Sequence, residues 1–105
     1  MEQLALTEVL QRELDTMHVL DKNRRPVGLN VLLEAKTKFQ SAETLEEFDA
    51  IMADAQQRIS GLLKVLDVDG HSFGHDMERY QRLLVTSQLE VVSVLSALGI
   101  QPVRN

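Results

Sequence analysis

Residues 44–67, TLEEFDAIMADAQQRISGLLKVLD, decide the fold class of this chain. Apolar residues recur in this stretch at alternating intervals of three and four, which places their side chains on one face of an α-helix. The apolar positions are Leu45, Phe48, Met52, Ala55, Ile59, Leu62 and Leu66. A helix is therefore predicted over residues 44–67.

The start of this helix carries a signal of its own. Thr44 followed three residues later by Glu47 fits a capping box, in which each side chain satisfies a free backbone N–H group of the first turn. Glu46 adds negative charge where the helix dipole favours it. The apolar stripe slips phase just before Leu45, so we expect a break there. The alternative is that this helix continues without a break from the helix predicted before it, at residues 26–41.

The same spacing predicts three further helices, at residues 3–21, 26–41 and 73–98. Pro26 suits the first position of a helix, where its missing N–H group would have no partner. Gly99 stands where a left-handed C-terminal cap favours glycine. No useful length of sequence alternates with period two. The sequence predicts an all-α, four-helix bundle-like single domain over residues 1–105, with the two C-terminal helices forming a long antiparallel hairpin.

Composition excludes several classes of function. The 105-residue chain carries a net charge of −5, which opposes binding to nucleic acid or to anionic membranes. The absence of cysteine excludes disulfides, thiol nucleophiles and cysteine-based metal sites. The N-terminal segment is acidic where a signal peptide is basic, and no stretch approaches the roughly 18 apolar residues of a membrane span. We expect a cytoplasmic protein that has no cofactor and does not enter a membrane.

The stretch DVDGHSFGHDMERY, residues 67–80, is the only part that resembles a chemical site. His71 and His75 are four residues apart, as in helical zinc-binding pairs, and Glu78 falls at the twelfth position of a calcium-loop pattern. Ser72 stands where a zinc protease needs glutamate, and the calcium pattern fails at its fifth and sixth positions. We interpret the stretch as a corner between two helices, with Ser72 capping the second. His71, His75 and Glu78 remain metal-ligand candidates, and no catalytic residue is predicted.

The fourth helix has more apolar surface than one packing face requires. Val85, Leu89 and Val92 form a second stripe, offset from the main stripe by roughly a quarter turn or more at 100° per residue. Soluble monomers rarely expose large contiguous apolar patches. We therefore predict a twofold homodimer with these three residues in its interface. The alternative is that the first helix packs over the second stripe.

Two charged segments are candidates for contact with a partner. Residues 22–25, KNRR, form the one basic concentration, and the start of the third helix is acidic. The simpler interpretation is a solvated loop in the first case and helix-dipole complementarity in the second. As possible orienting contacts to a partner protein we name Arg24, Arg25, Glu46 and Glu47.

These observations give three hypotheses for function. The first is a small non-enzymatic interaction or regulatory protein that acts through helix faces as a homodimer. The second is a metal-binding protein or an enzyme centred on the corner that contains His71 and His75. The third is nucleic-acid binding through the loop of residues 22–25, which the net charge makes the weakest of the three.

Overall fold

A computed structural model describes residues 10–67 and 70–99. Within these two ranges the chain forms four helical segments and no β-strand, which confirms the predicted all-α class. The first segment, α1, comprises residues 10–15 of the described chain. It is followed by α2 (Leu29–Ser41), α3 (Leu45–Leu66) and α4 (Phe73–Ala97). None of the helices in these ranges is both long and apolar enough to cross a membrane.

The helices α2, α3 and α4 each pack against the other two and enclose a shared core. The rings of Phe39 and Phe48 stack with their centroids 5.8 Å apart, which joins the end of α2 to the start of α3. Burying a side chain of this size contributes about 1.5–3 kcal/mol. Fully buried side chains from all three helices complete this core: Leu32, Phe39, Phe48, Ile59, Leu63, Tyr80 and Leu84.

Helix α3 agrees with its prediction to within one residue at each end. Thr44 Oγ1 accepts a hydrogen bond from the Glu47 N–H group at 3.1 Å, as the capping box requires. The carboxylate of Glu47 accepts from the N–H group of Glu43 at 2.9 Å, one residue before the position expected for the reciprocal bond. Ala42 has an extended backbone, with φ −74° and ψ 140°, so α2 and α3 are separate helices and an unbroken helix through both is excluded.

Helices α3 and α4 form the predicted antiparallel hairpin. The chain reverses direction between Leu66 and Phe73, and the Nζ atom of Lys64 lies 5.8 Å from the centroid of the Phe73 ring. Gly70 in this corner has a φ of 71°, and Gly99 after α4 has a φ of 79°. Both values lie in the left-handed region that favours glycine, and Gly99 is the helix-ending glycine that the sequence predicted.

The first helix ends earlier than predicted. Residue 15 is its last helical residue, whereas the prediction continued to residue 21; the predicted start at residue 3 lies outside the described residues. Met17 continued the helical spacing of apolar residues and so misled the prediction. In the structure, Met17 and Val19 are buried and His18 between them is exposed, which is the alternation of an extended segment.

The second helix begins at Leu29 and not at Pro26. Pro26 instead forms an antiparallel bridge with Leu20, across a tight turn in which Arg24 has a φ of 62°. The Asp21 carboxylate stabilises this turn by accepting the N–H groups of Asn23 at 2.8 Å and of Arg25 at 3.1 Å. We call residues 16–28, which connect α1 to α2, the strap.

The strap ends at Gly28, directly against a buried aromatic ring. The Gly28 N–H group donates a hydrogen bond to Tyr80 Oη at 2.9 Å. A Cβ atom at position 28 would lie 2.7 Å from the Tyr80 ring, which is closer than real Cβ contacts allow. Glycine is therefore required here by close approach, and its φ of −91° is ordinary.

Candidate functional site

A buried carboxylate on α4 anchors the strap. Asp76 is fully buried, and its carboxylate accepts the His18 N–H group at 2.9 and 3.1 Å and the Val19 N–H group at 2.7 Å. Burying an ionised carboxylate is costly unless hydrogen bonds replace its water. Hydrogen bonds to charged acceptors are among the strongest in proteins, so these contacts fix the strap to the first turns of α4.

The imidazole of His75 lies against the same carboxylate. Its Nδ1 atom is 2.7 Å from Asp76 Oδ1. The ring also stacks on the ring of His18, with centroids 3.6 Å apart and planes 6° from parallel. His18, His75 and Asp76 offer potential ligand atoms that all lie within 4.8 Å of one another. We call these three residues the histidine cluster.

An arginine and a glutamate border the histidine cluster. Arg79 donates from Nη1 to the His75 carbonyl oxygen at 3.1 Å and from Nε to Thr16 Oγ1 at 3.0 Å. Its Nε atom also lies 3.9 Å from Glu13 Oε2, a buried oxygen with no hydrogen-bond partner among the described residues. Arg79 therefore links the end of α1 and the strap to α4 by charge as well as by hydrogen bonds.

Tyr80 lies one turn beyond Asp76 and completes the polar contacts beneath the strap. Burial raises the pKa of its hydroxyl to about 12, and the negative charge of Asp76 acts in the same direction. The N–H group of Gly28, which donates to the Tyr80 oxygen, favours the ionised form and opposes both effects. Tyr80 is therefore neutral at physiological pH.

The structure does not gather the predicted metal candidates into one site. Of His71, His75 and Glu78, only His75 belongs to a group of three potential ligands in the described part of the chain. His71 is exposed, and Glu78 is an exposed residue whose carboxylate accepts from Arg82 at 3.2 Å. The predicted cap at Ser72 makes no side-chain hydrogen bond to the helix; the Ser72 N–H group donates to Asp67 Oδ2 at 3.1 Å.

The sequence analysis placed the candidate site at the corner that contains His75 and Asp76, and it missed His18 as a member of that site. His18 lies 57 residues before His75, and no motif in the sequence joins the two. The groups that hold Asp76 are backbone N–H groups 57 and 58 residues away. Backbone donors leave no mark in a sequence, so no local motif could have revealed the contact.

The second apolar stripe lies on the solvent side of α4. Val85 is 45% exposed and Leu89 is 62% exposed, so both keep a large part of their surface open to solvent. Val92 is half-buried and packs partly against the core. We call Val85, Leu89 and Val92 the outward face of α4.

The outward face continues into a helix segment almost without charge. Residues 83–97 contain one charged residue, Glu90, although 26% of the whole chain is charged. At 100° per residue, Glu90 points about 100° away from Leu89 and about 140° from Val85. From Val85 to Val92 the outward face therefore carries no charge. Before Val85 the same side of α4 carries Arg82 and Glu78, which form an ion pair with each other.

The charged partner-contact candidates all lie at the surface. Arg24 and Arg25 are exposed in the tight turn of the strap. Glu46 and Glu47 are exposed in the first turn of α3, where Glu47 also takes part in the capping box. Their placement permits contact with a partner and is equally that of solvated surface residues.

Comparisons of this chain with protein-family models, with curated proteins and with solved structures find no match.

Proposed function

We propose that this protein is a small non-enzymatic interaction protein that works as a homodimer, with the outward face of α4 as its contact surface. One observation carries the proposal: Val85 and Leu89 are exposed together on one side of a helix whose other side is buried in the core. A helix with apolar residues on two sides is typical of a second packing partner.

The depletion of charge supports an interface at this place. Interface cores are depleted in charged residues compared with the rest of a protein surface. Residues 83–97 hold a single charge, and Glu90 points away from the outward face. A helix surface meant only for water has no need to exclude lysine, arginine and glutamate over four turns.

The net charge of the chain favours an uncharged surface for any contact between two copies. Two chains of net charge −5 repel each other over most of their surfaces. Contact through Val85, Leu89 and Val92, which carry no charge, keeps the electrostatic cost of bringing two copies together small. A twofold contact is self-complementary, so Leu89, in the middle of the face, would meet the same face of the other copy.

The association state of the wild-type protein and of a double serine variant tests this proposal. We expect wild-type protein in light scattering to approach twice the chain mass of 11.9 kDa as its concentration rises. The double variant Val85→Ser/Leu89→Ser should raise the dimer dissociation constant by about a hundredfold or more, because losing about 3 kcal/mol of apolar burial has this effect.

A single substitution on another helix gives the matched control. Leu33 in α2 is 43% exposed, close to the 45% of Val85, and does not lie on α4. Leu33→Ser should leave the dissociation constant unchanged. A wild-type mass of one chain at every concentration, or equal weakening by Leu33→Ser, would refute the proposal.

A further inference from the structure

The pairing of Asp76 with His75 leaves one imidazole nitrogen ready to bind an ion. With Nδ1 hydrogen-bonded to the carboxylate at 2.7 Å, the neutral His75 ring carries its proton on Nδ1 and a free lone pair on Nε2. Histidines that ligate metals nearly always donate their other ring N–H group to a carboxylate or carbonyl, which fixes the tautomer and the ring. His75 and Asp76 have this arrangement.

His18 brings a second imidazole to the same place. Its ring lies 3.6 Å from the His75 ring, and the ligand atoms of the cluster are within 4.8 Å of one another. Two nitrogens that bind one zinc ion, each at about 2.0–2.1 Å, cannot be more than about 4.2 Å apart. The 3.6 Å separation of the two ring centroids lies within this limit.

The stacked rings of His18 and His75 must turn relative to each other before both can bind one ion. Lone pairs of imidazole nitrogens lie in the ring plane, and planes only 6° from parallel do not converge. His18 can make this change because its side chain is exposed, whereas its N–H group remains bonded to Asp76. Rotation of the His18 ring therefore disturbs neither the core nor the anchor of the strap.

The charges around the cluster allow a dication to enter. Asp76 and Glu13 each have a formal charge of −1. Arg79 has its Nε atom 3.9 Å from Glu13 Oε2 and donates from Nη1 to the His75 carbonyl oxygen. Arg82 has its Nη1 atom 3.9 Å from Glu13 Oε1 and its Nη2 atom 3.2 Å from Glu78 Oε1. The five formal charges sum to −1, so the two arginines do not reverse the attraction for a cation.

We propose that His18 and His75 bind one divalent transition-metal ion such as Zn²⁺ or Ni²⁺, with Asp76 orienting His75 from behind. Imidazole ligands suit these ions, whereas Ca²⁺ and Mg²⁺ prefer oxygen. The ion would join the strap to α4, and water would complete its coordination. This site differs from the His71–His75 pair that the sequence suggested, since it draws its second ligand from a residue 57 positions earlier in the chain.

Calorimetric titration with zinc chloride tests the proposal. The chain has three histidines in all, so each can be replaced in turn. We expect one zinc ion per wild-type chain. His18→Ala and His75→Ala should each weaken binding at least tenfold, and His71→Ala, the matched control, should leave it unchanged. Calcium chloride should give no saturable heat. Circular dichroism of each variant confirms that it is folded.

A measurement on the unmodified protein guards against misfolded variants. Zinc should shift the imidazole ¹⁵N resonances of His18 and His75 in NMR spectra and leave those of His71 in place. It should also raise the melting temperature, since the ion binds the folded chain. Absence of saturable zinc binding, or weakening by His71→Ala as large as that by His75→Ala, would overturn the proposal.

Discussion

Two buried polar side chains on α4 determine how the N-terminal part of the chain meets the bundle. Asp76 accepts the backbone N–H groups of His18 and Val19, near the start of the strap. Tyr80 accepts the N–H group of Gly28 at its end. Because the two side chains are one helical turn apart, the strap is held at both ends by a single short stretch of helix.

Tyr80 gives this arrangement a measurable pH dependence. Its hydroxyl ionises near pH 10 in an unfolded chain, and burial raises the pKa to about 12 in the folded protein. Below about pH 10, where Tyr80 is neutral in both states, its hydroxyl does not lower the free energy of unfolding. The free energy of unfolding declines between about pH 10 and 12, because the unfolded chain then releases the proton first. The loss reaches at most about 3 kcal/mol of unfolding free energy.

The composition of the chain makes this titration direct. Tyr80 is its single tyrosine, and it has no tryptophan, so the ultraviolet absorbance of tyrosinate reports Tyr80 alone. We expect a midpoint near pH 12 for folded protein and near pH 10 in concentrated urea. In urea unfolding, the Tyr80→Phe variant should not show the part of the fall in unfolding free energy above about pH 10 that the Tyr80 hydroxyl causes. A folded midpoint near pH 10 would contradict the burial of the hydroxyl.

At the scale of elements, the sequence predicted those helices whose bounds depend on residues near them in the chain. Helices α3 and α4 were predicted to within one residue because their apolar periodicity is long. Thr44 caps the start of α3, and Gly99 follows the end of α4. The first two helices were extended too far toward each other, since Met17 kept helical spacing and Pro26 suited a helix start. Both residues belong to the strap, whose conformation depends on contacts with Asp76 and Tyr80 from far along the chain. The outward face was predicted from periodicity, whereas the histidine cluster depends on tertiary contacts and was not.

The two helix starts give a matched test of capping. Thr44 accepts the Glu47 N–H group, whereas Ser72 occupies the corresponding position before α4 without a side-chain hydrogen bond to the helix. Thr44→Ala should lower the free energy of unfolding by about 1 kcal/mol, because a backbone donor of α3 loses its partner. Ser72→Ala should change it by less than about 0.5 kcal/mol. Urea denaturation followed by circular dichroism measures both, and equal effects would show that Thr44 does not act as the cap.

At the scale of the whole molecule, the bundle leaves apolar surface in more than one place. Val65 in α3 is 80% exposed, more than the 62% of Leu89 in α4. Val65 lies beside Leu62 and Leu66, so apolar exposure alone does not distinguish α4 from α3. What distinguishes Leu89 is its position between Val85 and Val92, in a stretch of α4 whose single charged residue, Glu90, points away from them. A test of the dimer must therefore separate exposure from position on the helix.

Disulfide cross-linking of single-cysteine variants makes this separation, because the chain contains no cysteine of its own. A disulfide requires Cα atoms within about 7 Å, so it forms readily only between residues that meet in a dimer. Under mild oxidation, Leu89→Cys should form a covalent dimer efficiently. Val65→Cys, although more exposed, should remain a single chain. Equal or faster cross-linking of Val65→Cys, or none for Leu89→Cys, would show that the outward face of α4 does not join two copies.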